Sequence, residues 1–196
     1  MDVLVDPRAP HRLRHEIRRR LLEVVGVTDL TPRMRRICLR GDMTGFASPG
    51  HADHIKVFIF PEGVEPHLPP QDGEFAAAAR PQMRDYTPRA WDVDKGTLDI
   101  DFVLHGDGPA SGWAAQARIG QKLLIAGPRG SLIVPTAFDW YLLVGDETAV
   151  PALARRIAEL PARARVLAIL EVDTVSQHQP LPGQADVWLT HVYRNG

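Results

Sequence analysis

Read for the spacing of its apolar side chains, the chain changes texture once, near residues 132 to 138. Before that point, short runs of β-branched and apolar residues are broken by turn-forming clusters. RRLLEVVGV (19–27), RMRRICLRG (33–41) and HIKVFIFP (54–61) are such runs, with TDLTP and GDMTGFASPGHAD between them. TLDIDFVLHG (97–106) alternates, with Leu98, Ile100, Phe102 and Leu104 facing one way and Asp99, Asp101 and His105 the other. A short helix is predicted over PASGWAAQAR (109–118) and a strand in QKLLIAGPRGS (121–131). Residues 62–82, rich in Pro and Gly, read as a long surface loop. Many short strands with one helix predict a closed antiparallel barrel.

After Pro135 the runs lengthen. DWYLLVGD is continuously apolar, as a strand buried on both faces would be. TAVPALARRIAEL predicts a helix with Thr148 as N-cap and Leu153, Ile157 and Leu160 on one face. ARVLAILEV and ADVWLTHV add two strands. Strand, helix, strand is the opening of a parallel α/β domain. The expected organisation is therefore a leader at 1–15, an antiparallel Greek-key barrel over 16–135, and a short, apparently incomplete parallel α/β domain over 136–196.

Composition narrows the class. Of 196 residues, 44% are hydrophobic and 24% charged, enough apolar material for a core without a disulfide or metal staple. A net charge of −1 excludes a globally basic nucleic-acid binder. The one cysteine, Cys38, excludes an intrachain disulfide framework and cysteine-ligated clusters, and reads as a small hydrophobe in ICL. No apolar run reaches the length of a membrane span and the N-terminus lacks a signal-peptide core, so the expected location is the cytoplasm. Charge is uneven, since RAPHRLRHEIRRR holds six arginines; the reading favoured is a solvated leader.

Two places carry chemistry. In MRDYTPR (83–89), a strand would put the Arg84 cation and the Tyr86 ring on one face. In HGDGPASGW (105–113), Gly106 and Gly108 permit close backbone approach and Pro109 suits a first helical position. The following N–H groups form an anion site, to which Ser111 adds a hydroxyl. A pyrophosphate and a planar ring system are what a flavin dinucleotide presents to such residues.

MRDYTPR resembles the Arg-x-Tyr-Thr flavin motif of the ferredoxin-reductase-like superfamily. TPRMRRICLRG, IDFVLHGDGPASGWAAQARIGQKLLIAGPRGS, DWYLLVGDETAVPA and VWLTH, in that order, resemble its siderophore-interacting branch, the FAD-dependent ferric-siderophore reductases. The resemblance runs from about residue 16 onward. It implies that FAD is bound non-covalently, Arg84 pairing with the pyrophosphate, Tyr86 packing on the isoalloxazine or ribityl, and Thr87 bonding near the reactive edge. His105 would contact the flavin, and Gly108, Pro109, Ala110 and Ser111 would cradle phosphate with Trp113 behind. Asp146 and Thr148 would reach the flavin from the α/β domain or serve as a plain helix cap. The electron donor implied is NADH or NADPH and the substrate a ferric siderophore, with Arg89 and Arg129 as candidate contacts for an anionic chelate. Asp146 and Glu147 at the second helix start disfavour a phosphate there, so slow reduction by NAD(P)H is expected.

No metal-binding residues are assigned, since His51-x-x-His54 lacks a third ligand nearby and Asp99 and Asp101 read as a solvated edge. No protein side chain is assigned a catalytic role. The competing function is a flavin- or siderophore-binding module without turnover, or a flavin reductase fed by a partner donor. The siderophore-interacting family continues beyond VWLTHVYRNG with further strands, a helix start and an aromatic ending, none of which is present in this sequence. Turnover is therefore in doubt, and one helix is expected to leave some of Leu142, Val144, Leu167, Ile169 and Trp188 exposed or covered by a second copy.

Overall fold

The computed structural model describes residues 6–70, 74–106 and 108–195. In chain order the strands are β1 (His11–Arg14), β2 (Arg19–Thr31), β3 (Met34–Arg40), β4 (Ile55–Ile59), β5 (Gln82–Tyr86), β6 (Pro88–Asp92), β7 (Thr97–Val103), β8 (Lys122–Ala126), β9 (Gly130–Ile133), β10 (Trp140–Asp146), β11 (Arg165–Val172) and β12 (Asp186–Tyr193). The helices are α1 (Pro109–Ala115) and α2 (Val150–Glu159). Two compact units emerge. One holds His15–Ala47 and His54–Arg129; the other holds the residues up to Arg14, Ser48–Asp53 and those from Gly130 onward.

The first unit is a rolled antiparallel sheet of seven strands, ordered β5-β4-β8-β2-β3-β7-β6. Its two end strands, β5 and β6, are separated in sequence by Thr87 alone. Consecutive Cα atoms lie only about 3.8 Å apart, so the sheet has to curl until its edges meet at Thr87. Register shifts in β2, between Val24 and Gly26 and between Asp29 and Thr31, supply local bend and twist. β8 returns to lie between β4 and β2, the long return of a Greek key. Inside, Val57, Leu98, Ile100, Phe102 and Ile125 are fully buried, and α1 adds Ala110 and Ala114 to the same core. At the β6–β7 turn, Gly96 has φ +65° and a Cβ there would lie 2.6 Å from the Gly41 carbonyl oxygen, so only glycine fits.

Alternation along β7 placed its apolar residues correctly but not Asp101. Asp101 is buried, because register sets it opposite Arg36, whose guanidinium donates to both carboxylate oxygens at 2.7 and 2.8 Å. A charge-assisted fork of this kind offsets the cost of removing the carboxylate from water.

In the second unit β10, β11 and β12 form a parallel sheet in that order, joined by α2 between the first two strands. One face packs on α2 through Tyr141, Val166, Ala168, Ile157 and Leu160. On the other face Leu142 is 52% exposed, Val144 61%, Leu167 42% and Trp188 79%. The N-cap of α2 is Ala149 rather than Thr148, because Thr148 turns its hydroxyl back to Asp146. β1 and β9 make a separate two-stranded ladder, and all four residues of β1 are exposed. Ser48–Asp53 joins this unit through buried polar contacts. Asp53 Oδ2 accepts from Ser131 Oγ at 2.6 Å and from the Gly50 N–H at 3.0 Å, while Arg155 on α2 donates to Ser48 Oγ at 3.0 Å and to the Ser48 carbonyl.

Candidate functional site

The strand carrying the first candidate residues is an edge strand with one hydrogen-bonded neighbour. β5 pairs with β4 so that Tyr86 lies opposite Ile55 and Arg84 opposite Val57. Ile55 and Val57 are core residues, so Arg84 and Tyr86 share the inward-facing side while Asp85 pairs outward with Lys56 at 2.8 Å. Tyr86 is half-buried with its ring centroid 4.4 Å from Phe102, and burial pushes its phenol pKa up despite the Arg84 charge nearby. Arg84 is exposed and, among the described residues, bonds locally to the Met83 carbonyl at 2.8 Å and to Gln82 Oε1 at 3.4 Å. Thr87 is half-buried at the junction of the sheet edges.

Phe102 also touches Trp113 on α1, with centroids 5.6 Å apart. One buried ring thus joins the Arg84–Tyr86–Thr87 strand to the β7–α1 turn. There His105 is exposed, and its backbone N–H donates to Ser111 Oγ at 2.9 Å, which leaves the Ser111 hydroxyl hydrogen available. Pro109 occupies the first turn of α1 and Gly108 is its N-cap, with no side chain capping the turn. The first intrahelical bond runs from the Gly112 N–H to the Gly108 carbonyl, so the Ala110 and Ser111 N–H groups precede any helical acceptor. A Cβ placed on Gly106, Gly108 or Gly112 would meet nothing within 4 Å. An exposed guanidinium, orphan N–H donors, a spare hydroxyl and an aromatic wall beside open glycines fit a dinucleotide with a flat ring.

The remaining candidates fall elsewhere. Arg89 is half-buried with its Nε 3.9 Å from Asp101, and burial together with the neighbouring Arg36 lowers its pKa against the pull of Asp101 and Asp99. Arg129 is exposed, and its carbonyl accepts the His15 N–H. Asp146 and Thr148 belong to the second unit, where Thr148 donates its N–H and hydroxyl to Asp146 Oδ1 at 2.9 and 2.5 Å. Burial would raise the Asp146 pKa, but these donors, the Ala149 N–H and the charge of Arg194 outweigh it and hold it below the ordinary value.

Glu147 is not the bare charge that its position suggested. It is buried and ion-paired with Arg194, which also reaches Glu171 at 3.1 Å and Asp173 at 3.8 Å. Sequence reasoning missed this pair, as it missed Phe102 and the Arg36–Asp101 fork. Only the fork had a readable signal, since aligning Ile37 with Ile100 across antiparallel strands sets Arg36 against Asp101. Among the described residues no group of three His, Cys, Asp or Glu side chains is placed to hold a metal ion.

The family model for the siderophore-interacting FAD-binding domain matches residues 23–132, and that for the siderophore-interacting protein matches residues 138–196. The chain belongs to the siderophore-interacting protein family. Its barrel-forming stretch is that family's FAD-binding domain, and Arg84, Tyr86 and the α1 turn all lie inside it. Among relatives, the chain is 41% identical to an NADPH-dependent ferric-chelate reductase of Escherichia coli, covering 94% of this chain and 76% of that protein. It is 37% identical to the ferric vibriobactin reductase ViuB of Vibrio cholerae, over 80% of this chain and 59% of that protein. Among solved structures, a siderophore utilization protein from T. fusca superposes with a TM-score of 0.80 at 38% identity, covering 96% of this chain and 74% of that one. The siderophore-interacting protein SipS from Aeromonas hydrophila gives 0.74 at 34%, over 90% and 72%. A ferredoxin reductase of carbazole 1,9a-dioxygenase, 18% identical with a TM-score of 0.65, shares the fold. This member of the family spans 76% and 59% of the two curated relatives and from about half to three quarters of the three solved structures.

Proposed function

We propose that the chain is a flavoprotein reductase that takes electrons from NADH or NADPH through FAD to the iron of a ferric siderophore, releasing Fe(II) in the cytoplasm. The observation that carries this reading is the continuous set Arg84–Tyr86–Thr87, Phe102, Trp113 and the α1 turn, held in one unit. FAD, when bound, accepts a hydride from the nicotinamide and passes electrons on singly to an acceptor.

What the chain does is hold and shield. Arg84 offers a guanidinium fork to the pyrophosphate, and the Ala110 and Ser111 N–H groups with the Ser111 hydroxyl take further phosphate oxygens. Tyr86, fixed against Phe102, presents a ring face to the flavin, and Thr87 hydrogen-bonds near its reactive edge. His105, Gly108 and Pro109 shape the turn, with Trp113 behind it. Asp146 and Thr148 belong to the second unit, where they bond to each other. Arg89 and Arg129 supply positive charge for an anionic chelate, Arg129 as an exposed cation and Arg89 damped by Asp101. Fe(II) binds hard oxygen donors less tightly than Fe(III), so reduction alone releases the metal and no protein ligand is required. Relatives named as ferric-chelate and ferric vibriobactin reductases support the substrate class. Homo-oligomerisation through residues 136–196 belongs to the same reading.

The test is direct. The purified protein should bind FAD, and NADPH or NADH should bleach the flavin absorbance, with Fe(II) trapped by a ferrous chelator when a ferric siderophore is added. Arg84→Ala should weaken FAD binding by about 1.5–3 kcal/mol, roughly ten- to a hundredfold in Kd. Equal affinity in the variant would remove Arg84 from the site. Flavin binding without ferrous product would reduce the protein to a carrier.

A further inference from the structure

Strand β3 puts a cation where its alternation calls for a core residue. Ile37 and Leu39 face inward and are fully buried, and Arg35, two positions before Ile37, shares their side of the strand. Register places Arg35 opposite Asp29 on β2 and opposite Phe102 on β7. Its side chain is 19% exposed, so the charge needs partners. All three guanidinium nitrogens have them. Nε and Nη2 donate to Asp29 Oδ1 and Oδ2 at 2.7 and 3.2 Å, and Nη1 donates to the Ala115 carbonyl at 2.8 Å and the Ala114 carbonyl at 3.2 Å. Ala114 and Ala115 are the last two residues of α1. Arg35 therefore caps the carboxyl end of that helix, where terminal carbonyls and the helix dipole both favour a cation.

Resting on the FAD-binding function above, we propose that Arg35, aimed by Asp29, is a positioning residue of the flavin site, which fixes α1 lengthwise so that Ser111 stands where the FAD phosphates come. With seven residues, α1 is about 10 Å long, well below the length at which a helix is stable by itself. Its place is set by what grips it. Sideways, Ala110 and Ala114 are sunk in the barrel core and the Trp113 ring meets Phe102. Near the amino end, Ser111 Oγ accepts the His105 N–H, a contact made by a loop residue. At the carboxyl end the grip is Arg35, anchored on the sheet through its own strand and through Asp29. So short a helix moves as one body, and a shift at Ala115 is a shift at Ser111, one turn away. Tyr86, by contrast, is set by the pairing of β5 with β4. Loss of the Arg35 grip should therefore loosen the hold on phosphate and spare the hold on the flavin ring.

Titration of the whole chain with FAD and with riboflavin, followed by flavin fluorescence, separates this role from general damage, because riboflavin carries the ring of FAD without its phosphates. Arg35→Met should raise the Kd for FAD roughly tenfold, leave that for riboflavin within about twofold, and preserve the far-ultraviolet circular dichroism spectrum. Arg35→Lys, which keeps a cation at the helix end, should recover part of the loss. Asp29→Asn, at a side chain 60% exposed where folding is not at stake, should weaken FAD binding roughly threefold and again spare riboflavin. Unchanged FAD affinity in both Arg35→Met and Asp29→Asn overturns the proposal, and so does equal weakening of FAD and riboflavin. Failure of the unaltered chain to take up FAD would remove the binding function itself, and that result is read without any variant.

Discussion

Cys38 shows how one position in a strand can silence a reactive group. It lies half-buried on β3 beside Asp99, and burial first, then the carboxylate, push its thiol pKa from 9.0 up to about 11. The thiolate is the nucleophile, so a rise of this size should slow alkylation at pH 8 by roughly a hundredfold against an ordinary cysteine. Iodoacetamide labelling followed by mass spectrometry measures it; labelling at the rate of free cysteine would remove the Asp99 contact from the account. Candidate residues were unevenly legible. Arg84, Tyr86, Ser111 and Trp113 could be picked as candidates because the chemistry they offer is written in their side chains and their order. Phe102 could not, since a buried phenylalanine in an alternating strand looks like any other core residue until its neighbours are known.

At the scale of elements, the segment Ser48–Asp53 and helix α2 are tied by polar atoms, and the tie has a pH dependence. His51 is held by burial, and then by the charges of Arg156 and Arg155, at a pKa of about 4, against the weaker opposing pull of Asp53. A histidine whose folded pKa is depressed contributes stability that is complete above its unfolded pKa near 6.5. That stability is lost as pH falls from there toward 4, because the unfolded chain takes the proton first. Thermal unfolding followed from pH 7 to pH 4 should therefore show a falling midpoint. His51→Gln should flatten the fall by the share of about one proton; an unchanged slope would mean that His51 is solvated. Strands β2, β3, β4, β7, β8 and β10–β12 and both helices could be read from apolar spacing. β1, β9 and β6 could not, being short, exposed or interrupted by a proline. The attachment of Ser48–Asp53 was equally hidden, since hydrogen bonds from Ser131 and Arg155 span 78 and 107 positions and leave no periodicity.

At the scale of the whole molecule, the two-part organisation was legible because the apolar pattern itself changes from short alternating runs to long continuous ones. The exposure of Leu142, Val144, Leu167 and Trp188 was also legible, from three apolar strands served by one helix. What was not visible is that the rolled sheet has a seam. β5 and β6 end the ladder on opposite sides, and the chain joins them through Thr87.

That seam has a kinetic consequence. Edge amides with no partner strand open at little cost, so without flavin the β5 and β6 backbone should exchange hydrogen with solvent far faster than β2 or β8 in the middle of the sheet. A ligand gripping Arg84, Tyr86 and Thr87 bears on the seam itself, so its binding energy enters the opening equilibrium there first. Hydrogen exchange read by mass spectrometry should show FAD slowing residues 82–92 by a larger factor than the β2–β3 hairpin. Equal slowing everywhere would mean that the flavin stabilises the unit globally and leaves its seam no weaker than the rest.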